Sequence, residues 1–138
     1  MHLEAVTDEV RREIMPGKAQ VSVERYFEAF AAAVEVFGRG QVSTYILAGL
    51  GDSAESILTT CKRLVALGVY PFVVPFVPIS GTPLESHSAP APEFMHAILN
   101  PLAAMLAASG LKATDIKAGC GKCGACSALS TYERRLAS

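Results

Sequence analysis

The sequence has no excess of charge of either sign. Twelve lysine and arginine residues nearly balance thirteen aspartate and glutamate residues, so the formal net charge is −1 at pH 7. Proteins that bind duplex nucleic acid usually carry a clear cationic excess, because they neutralise phosphates. Nucleic acid is therefore not an expected partner. Charged residues are also scarce, at 18% against 51% hydrophobic residues, which excludes a disordered chain.

The sequence also lacks a hydrophobic run long enough to span a membrane. The richest apolar segment, residues 70–79, is broken by prolines and is about half the length that a spanning helix needs. The first nine residues have neither the basic nor the apolar region of a secretory signal. We therefore expect neither membrane insertion nor export, and we predict a cytoplasmic protein.

Cysteine is scarce outside one short segment. Three of the four cysteines, Cys120, Cys123 and Cys126, form a C-x2-C-x2-C run with glycines between them. Such crowding is typical of a metal or redox site in a reducing compartment rather than of a disulfide framework. Thiolates at this spacing can wrap one small cluster, and the glycines permit the tight turns that this requires. The run predicts a metal site, with iron–sulfur favoured over zinc.

A site built on three cysteines takes a fourth ligand from elsewhere or leaves one position open. Three further side chains are candidates: Cys61, His87 and His96. Cys61 lies on the apolar stripe of a predicted helix, and the two histidines are more typical of solvated surface. An open position, filled by substrate or solvent, is an equally good interpretation. One candidate function is therefore a small iron–sulfur or zinc-binding protein with no catalysis of its own.

The apolar pattern predicts alternating strands and helices. Helical spacing predicts three helices, over residues 23–37, 53–67 and 92–110. Runs of apolar and β-branched residues predict four strands, over residues 2–6, 42–48, 70–77 and 114–118. This alternation favours an α/β fold with a parallel sheet and right-handed crossovers. We predict four parallel strands with helices on one side, as an arc rather than a closed barrel.

Ligands of parallel α/β sheets bind at the carboxyl ends of the strands. That rule places four loops at one edge of the sheet, formed by residues 4–18, 49–53, 78–85 and 119–127. These loops hold the cysteine run, a Gly-Thr-Pro turn and a glycine-rich turn. We therefore expect the functional site at this edge.

The glycine-rich turn, residues 49–54, reads Gly-Leu-Gly-Asp-Ser-Ala and matches the relaxed dinucleotide fingerprint G-x-G-x-x-A. We expect Asp52 to cap the helix that follows. The acid that binds a ribose in such folds is missing, because the next strand ends Phe-Val-Pro-Ile at residues 76–79. A nucleotide-binding oxidoreductase domain is a second alternative. A tight turn that packs a helix on a sheet is an equally good interpretation of the motif.

Three segments of the chain resemble motifs that occur in the same order in one enzyme superfamily. Residues 45–52 resemble the G-x-I-x-G-x-x-E strand motif of radical SAM enzymes. Residues 75–85 resemble the Asn/Arg-Pro-x-x-Gly-Thr-Pro-Leu-Glu strand end of biotin synthase and its relatives. The segment His2-Leu3-Glu4 resembles their Asn-Leu-Asp segment, in which the acid contacts the ribose of S-adenosylmethionine (SAM). The resemblance covers residues 1 to about 85.

The resemblance implies a partial or full TIM-type (β/α) barrel, with parallel strands and the helices on the outer face. It also implies binding of SAM and a [4Fe-4S] cluster, for 5′-deoxyadenosyl-radical chemistry on a small-molecule substrate. Position by position, Glu4 would hold the ribose and Lys18 would face the methionyl carboxylate. The adenine would be lined by Leu47, Ala48, Gly49, Val74, Pro75 and Phe76.

The sequence lacks the C-x3-C-x2-C motif that follows the first barrel strand in this superfamily and holds its radical-generating cluster. The tail run differs in both spacing and position, so it cannot replace that motif. We interpret residues 1–118 as the C-terminal half of a radical SAM barrel and residues 119–138 as a cysteine-rich tail with an auxiliary cluster. The missing barrel half or a homodimer mate is an expected partner. We assign no catalytic residue and expect this chain alone to be inactive.

Overall fold

A computed structural model describes residues 1–137; Ser138, the last residue of the predicted tail, lies outside the described residues. Helices and strands alternate in its central part. In chain order the elements are α1 (Asp8–Ile14), a 3-10 turn (Lys18–Gln20), α2 (Val23–Phe37), β1 (Val42–Ala48), α3 (Ala54–Leu67), β2 (Val69–Pro75), α4 (Pro92–Ser109), a second 3-10 turn (Ala113–Asp115), α5 (Cys120–Cys123) and α6 (Leu129–Ala137).

The sheet is parallel, as the sequence predicts. β1 and β2 pair in register from Val42 opposite Val69 to Ala48 opposite Pro75. On the other side of β1, Glu4 forms a parallel bridge with Ile46. The α/β class is therefore confirmed. Within the described residues the regular sheet has only two strands plus this bridge, so a barrel is not visible.

The predicted fourth strand, residues 114–118, is wrong. The chain forms a 3-10 turn there and then an irregular segment in which Ile116 is buried. Its backbone groups bond to a side chain instead of a strand, because Gln41 Nε2 donates to the Asp115 carbonyl (2.9 Å) and Lys117 N donates to Gln41 Oε1 (3.1 Å). The tail also reaches β2 by a side chain, with Ser127 Oγ donating to the Val73 carbonyl (2.5 Å).

The three predicted helices, α2, α3 and α4, begin and end close to their predicted bounds, whereas α1, α5 and α6 were not predicted. Ser22 caps α2, and its hydroxyl accepts from Arg25 N at 3.3 Å. The cap of α3 is Ser53, which accepts from Ser56 N at 3.0 Å, so the expectation that Asp52 caps this helix is wrong. The packed faces of these helices and of α4 enclose a single apolar core over β1 and β2. Among residues 1–137, no helix is both long and apolar enough to cross a membrane.

Candidate functional site

The backbone turns sharply at Glu4, where the first segment leaves the sheet. Its φ angle is +67°, a left-handed conformation that among residues 1–137 occurs in no other residue except glycines. Such a conformation is unfavourable by about 1–2 kcal/mol for a residue with a Cβ atom. Two ladder hydrogen bonds hold it, since Glu4 N donates to Tyr45 O (2.9 Å) and Leu47 N donates to Glu4 O (3.0 Å).

The strained turn places the Glu4 side chain against Lys18. Lys18 Nζ lies 2.8 Å from Glu4 Oε1, and their side chains are 44% and 25% exposed, respectively. Both were predicted from the resemblance to contact SAM, one at the ribose and one at the carboxylate. The structure brings them together as an accessible ion pair. A ligand that used both groups would have to separate this pair.

Asp52 joins two loops at this edge of the sheet. Its Oδ2 accepts from Val6 N (2.7 Å), and its Oδ1 accepts from Thr7 N (3.1 Å) and from Thr7 Oγ1 (2.6 Å). The residue is only 5% exposed, so a carboxylate here depends on these three donors. Sequence reasoning missed this role. The only sequence signal for this role was an acidic residue inside a glycine-rich turn, and such a residue directly before a helix is usually interpreted as a helix cap.

Arg11 is a second residue that sequence reasoning missed. Its side chain is fully buried and donates to three carbonyls, those of Leu3 (2.6 Å), Lys18 (2.9 Å) and Val21 (3.3 Å). The guanidinium carbon lies 4.6 Å from the centre of the Tyr26 ring. Arg11 therefore ties both ends of the loop that carries Glu4 and Lys18 to the body of the fold.

The ends of β1 and β2 lie beneath the loop that follows β2. Phe76 N donates to the Ala48 carbonyl (2.8 Å), which extends the sheet by one hydrogen bond. His87 Nε2 lies 2.6 Å from the Gly49 carbonyl, and its ring packs edge-to-face on Phe76 at 5.2 Å. A Cβ atom at Gly49 would lie 2.9 Å from a Pro90 ring atom, so only glycine permits this close approach.

The six predicted adenine-lining residues all lie at or next to this edge. Ala48 and Val74 are buried, whereas the other four are partly exposed: Leu47, Gly49, Pro75 and Phe76. The second glycine of the turn, Gly51, packs on Val10, with a Cβ position 3.4 Å from that side chain. Gly49 therefore lies tightly against Pro90, whereas Gly51 is exposed and makes an ordinary contact with Val10.

The cysteine segment, residues 119–127, does not lie at the carboxyl edge. Gly121 of α5 is buried so closely that a Cβ atom there would lie 2.8 Å from Ile116 Cδ1 and 3.5 Å from atoms of Ser43 and Tyr70. Ser43 and Tyr70 are register partners at the second position of each strand. Gly121 thus packs on the amino halves of the strands, whereas Ser127 reaches the Val73 carbonyl in the carboxyl half of β2. The prediction that all four loops share one edge is wrong, because the strand expected to carry the cysteines to that edge does not form.

The three clustered cysteines are exposed, and two of them influence one tyrosine. Cys120, Cys123 and Cys126 are all exposed free thiols. The neighbouring Cys120 thiol, together with burial and the Cys126 thiol, raises the pKa of Tyr45. In the described part of the chain, no three His, Cys, Asp or Glu side chains lie close enough together to hold a metal ion. The described residues therefore do not assemble the predicted three-cysteine metal site.

The three candidates for a fourth ligand have other surroundings. Cys61 is fully buried in the core, and this burial raises the pKa of its thiol to about 12. His87 is bonded to the Gly49 carbonyl, and His96 Nδ1 lies 3.0 Å from the Tyr132 hydroxyl. Each side chain therefore has a structural role of its own in this arrangement.

Comparison with known proteins yields one informative similarity. No protein-family model matches the chain, and no solved structure matches it significantly. Among curated proteins, the chain is 27% identical over 121 residues to the probable dual-specificity RNA methyltransferase RlmN of Rhodopirellula baltica. The match covers 87% of this chain and 33% of that protein. The chain thus spans about a third of the length of the curated relative that it matches.

Proposed function

We propose that this chain is a portion of a radical SAM enzyme that binds SAM at the carboxyl edge of its sheet and an iron–sulfur cluster through Cys120, Cys123 and Cys126. RlmN is a radical SAM methyltransferase, and the similarity to it extends over most of this chain. The substrate under this proposal is a small molecule. The biotin-synthase-like subtype and the partial barrel belong to the same proposal, and the missing barrel half or a second copy would complete the site.

The observation that carries the proposal is the strained Glu4 turn with its ion pair. Strained backbone persists where surrounding contacts hold it, and it clusters at ligand sites. SAM presents a ribose diol, which a carboxylate can bind, and a methionyl carboxylate, which an ammonium group can bind. Glu4 and Lys18 supply these two groups at the edge where parallel sheets bind ligands. The adjoining adenine site would consist of residues 47–49 and 74–76.

Each part of the protein has a distinct task in this proposal. SAM, when bound beside a reduced [4Fe-4S] cluster, supplies a 5′-deoxyadenosyl radical. Glu4 and Lys18 hold and orient the cofactor, and Asp52 and Arg11 hold the loop that carries these two residues. The clustered thiols match the soft ligands that iron–sulfur clusters require.

The placement of the tail also supports a second candidate function. Gly121 of the cysteine segment packs on the amino halves of the strands, whereas Glu4 bridges Ile46 in the carboxyl half of β1. A metal centre there could serve a small iron–sulfur or zinc-binding protein with no catalysis of its own. The two candidates differ in one respect, since only the radical SAM proposal requires that the chain bind SAM.

The test is direct measurement of SAM binding by calorimetry. We expect wild-type chain to bind SAM and Glu4→Gln to bind about 10- to 100-fold more weakly, because a hydrogen bond to a charged group contributes about 1.5–3 kcal/mol. Glu28→Gln is the matched control. Glu28 is an exposed acid that pairs with Arg25 on α2, so its substitution should leave the affinity unchanged. No SAM binding by wild-type protein, or equal affinities in all three proteins, would reject the proposal.

Reductive cleavage of SAM gives a separate prediction. The chain has no C-x3-C-x2-C motif, so the isolated chain should not form 5′-deoxyadenosine even after anaerobic reconstitution and reduction with dithionite. The product is quantified by chromatography, with a protein-free reaction as the control. Formation of 5′-deoxyadenosine above that control would show that the tail cysteines can support the chemistry themselves.

A further inference from the structure

One turn of helix carries two of the three clustered cysteines. Helix α5 begins at Cys120 and ends at Cys123, and two backbone hydrogen bonds close the turn: Cys123 N donates to the Gly119 carbonyl (3.2 Å), and Gly124 N donates to the Cys120 carbonyl (2.9 Å). Residues three apart on such a turn lie on the same side of the helix. The two cysteines are therefore neighbours in space as well as in sequence.

The spacing of one helical turn suits a disulfide bond. A helix rises about 1.5 Å per residue at a radius of about 2.3 Å, so the Cα atoms of residues three apart lie about 5 Å from each other. Disulfides in proteins join Cα atoms that are about 4.4–6.8 Å apart. A bond between Cys120 and Cys123 can therefore form while α5 keeps its turn.

The residue between the two cysteines fixes this turn to the sheet. Gly121 is buried, and a Cβ atom there would lie 2.8 Å from Ile116 Cδ1 and 3.5 Å from Tyr70 Cδ1. Cys120 and Cys123, by contrast, are exposed free thiols. The turn thus packs closely on the sheet through its glycine, while both cysteines stay accessible to reagents in solution.

We propose that Cys120 and Cys123 form a dithiol–disulfide pair that exchanges with small-molecule disulfides such as oxidised glutathione. Two thiols in C-x-x-C spacing near a β-α-β unit are typical of such exchange sites, and β1, α3 and β2 form a unit of this kind. The inference goes beyond the proposed function, because the exchange requires neither SAM nor a metal.

The exchange has two steps. One thiolate of the pair attacks a sulfur of oxidised glutathione, which breaks the glutathione S–S bond, forms a mixed disulfide and releases one glutathione thiolate. The other cysteine then attacks the protein sulfur of the mixed disulfide, which forms the Cys120–Cys123 bond and releases the second glutathione thiolate. The pair has then lost two electrons and two protons, and the two glutathione thiols have gained them.

The other two cysteines of the chain provide the comparisons. Cys126 belongs to the same run, but it follows Gly124, whose left-handed backbone (φ +68°) ends α5. It is the competing partner, because its thiol and that of Cys120 influence the same tyrosine. Cys61 is fully buried in the core, so disulfides in solution do not reach it.

The experiment uses the full chain, freed of metal by a chelator and equilibrated anaerobically with mixtures of reduced (GSH) and oxidised (GSSG) glutathione. After an acid quench and alkylation in denaturant, the intact mass counts the free thiols. The reduced wild-type chain has four, and we expect the oxidised chain to have two and to carry no glutathione. Circular dichroism checks that each variant is folded.

Two serine variants identify the partner of Cys120. Cys126→Ser should reach half oxidation at a value of [GSH]²/[GSSG] within about twofold of wild type. Cys123→Ser should require a value at least about tenfold lower, because a disulfide that departs from the favoured geometry is more easily reduced.

Digestion with trypsin locates the bond directly. Lys122 lies between the two cysteines, so cleavage after it separates residues 118–122 from residues 123–134 unless a disulfide joins them. We expect the joined peptides from the oxidised wild-type chain and from oxidised Cys126→Ser, in which the second peptide contains Cys123 as its single thiol.

Several results would overturn the inference. Oxidation of Cys123→Ser at the wild-type value, or loss of oxidation in Cys126→Ser, would assign the bond to another pair. A wild-type chain that keeps four free thiols, or that stops at the mixed disulfide with glutathione, would show that the pair does not close. None of these results concerns SAM binding, so the proposed function is judged separately by calorimetry.

Discussion

Replacing Arg11 by methionine should lower the free energy of unfolding by about 3 kcal/mol. The substitution keeps a long apolar stem but removes donors from the carbonyls of Leu3, Lys18 and Val21. The hydrogen bond to the Leu3 carbonyl is buried, so without Arg11 this carbonyl cannot bond to water instead. The measurement is urea denaturation followed by circular dichroism.

Arg12→Met is the matched control for this prediction. Arg12 lies next to Arg11 on α1 but is exposed, so the same substitution there changes the helix in the same way without removing buried bonds. We expect its effect to stay within about 0.5 kcal/mol. If the two variants were equally stable, the three carbonyl bonds of Arg11 would contribute nothing to the fold. Because these bonds hold the loop of Glu4 and Lys18, Arg11→Met should also weaken SAM binding.

Replacing Asp52 by asparagine should lower the free energy of unfolding by about 2–3 kcal/mol, although the two side chains have the same shape. Both carboxylate oxygens accept from donors, Oδ2 from Val6 N and Oδ1 from Thr7 N and Oγ1. An amide would place an NH2 group against at least one of these donors and leave it unpaired. The free energy of unfolding is again measured in urea. The control is Asp115→Asn, an exposed acid for which we expect almost no change.

The Asp52 variant also tests the link between fold and site. If Asp52 positions the first loop, the asparagine protein should bind SAM more weakly even at temperatures where it is fully folded. Unchanged affinity in the folded variant would restrict Asp52 to a structural role. A stability equal to that of wild type would show that the buried carboxylate is not required.

Local pattern was a reliable guide to α2, α3, α4 and the two central strands, but it missed α1, α5 and α6. The predicted helix over residues 23–37 agrees with Val23–Phe37, and the strand over residues 42–48 agrees with Val42–Ala48. Apolar spacing, a serine cap and a terminal glycine all act within a few residues. The parallel pairing followed from the alternation of strands and helices, since each crossover returns the chain in the same direction.

Residues 114–118 show where local pattern was insufficient. A short segment forms a strand only if its backbone groups bond to those of a neighbouring strand. Here the backbone groups of Asp115 and Lys117 bond instead to the side chain of Gln41, which lies more than 70 residues earlier in the chain. The prediction that the cysteine run lies at the carboxyl edge failed for the same reason. The spacing of the cysteines indicates which chemistry they suit, but not which part of the sheet they reach.

The sequence by itself determined the α/β class, the helix and strand bounds in the centre of the chain, and the residue types of a SAM edge and a thiol cluster. Only the tertiary structure decided which groups meet: Glu4 with Lys18, Asp52 with the first loop, and Arg11 with three carbonyls. Hydrogen bonds within a helix or turn are local, and sequence spacing encodes them. The buried Asp52 carboxylate is stabilised by Val6, which lies 46 positions away in the sequence, and only the folded chain brings such groups together.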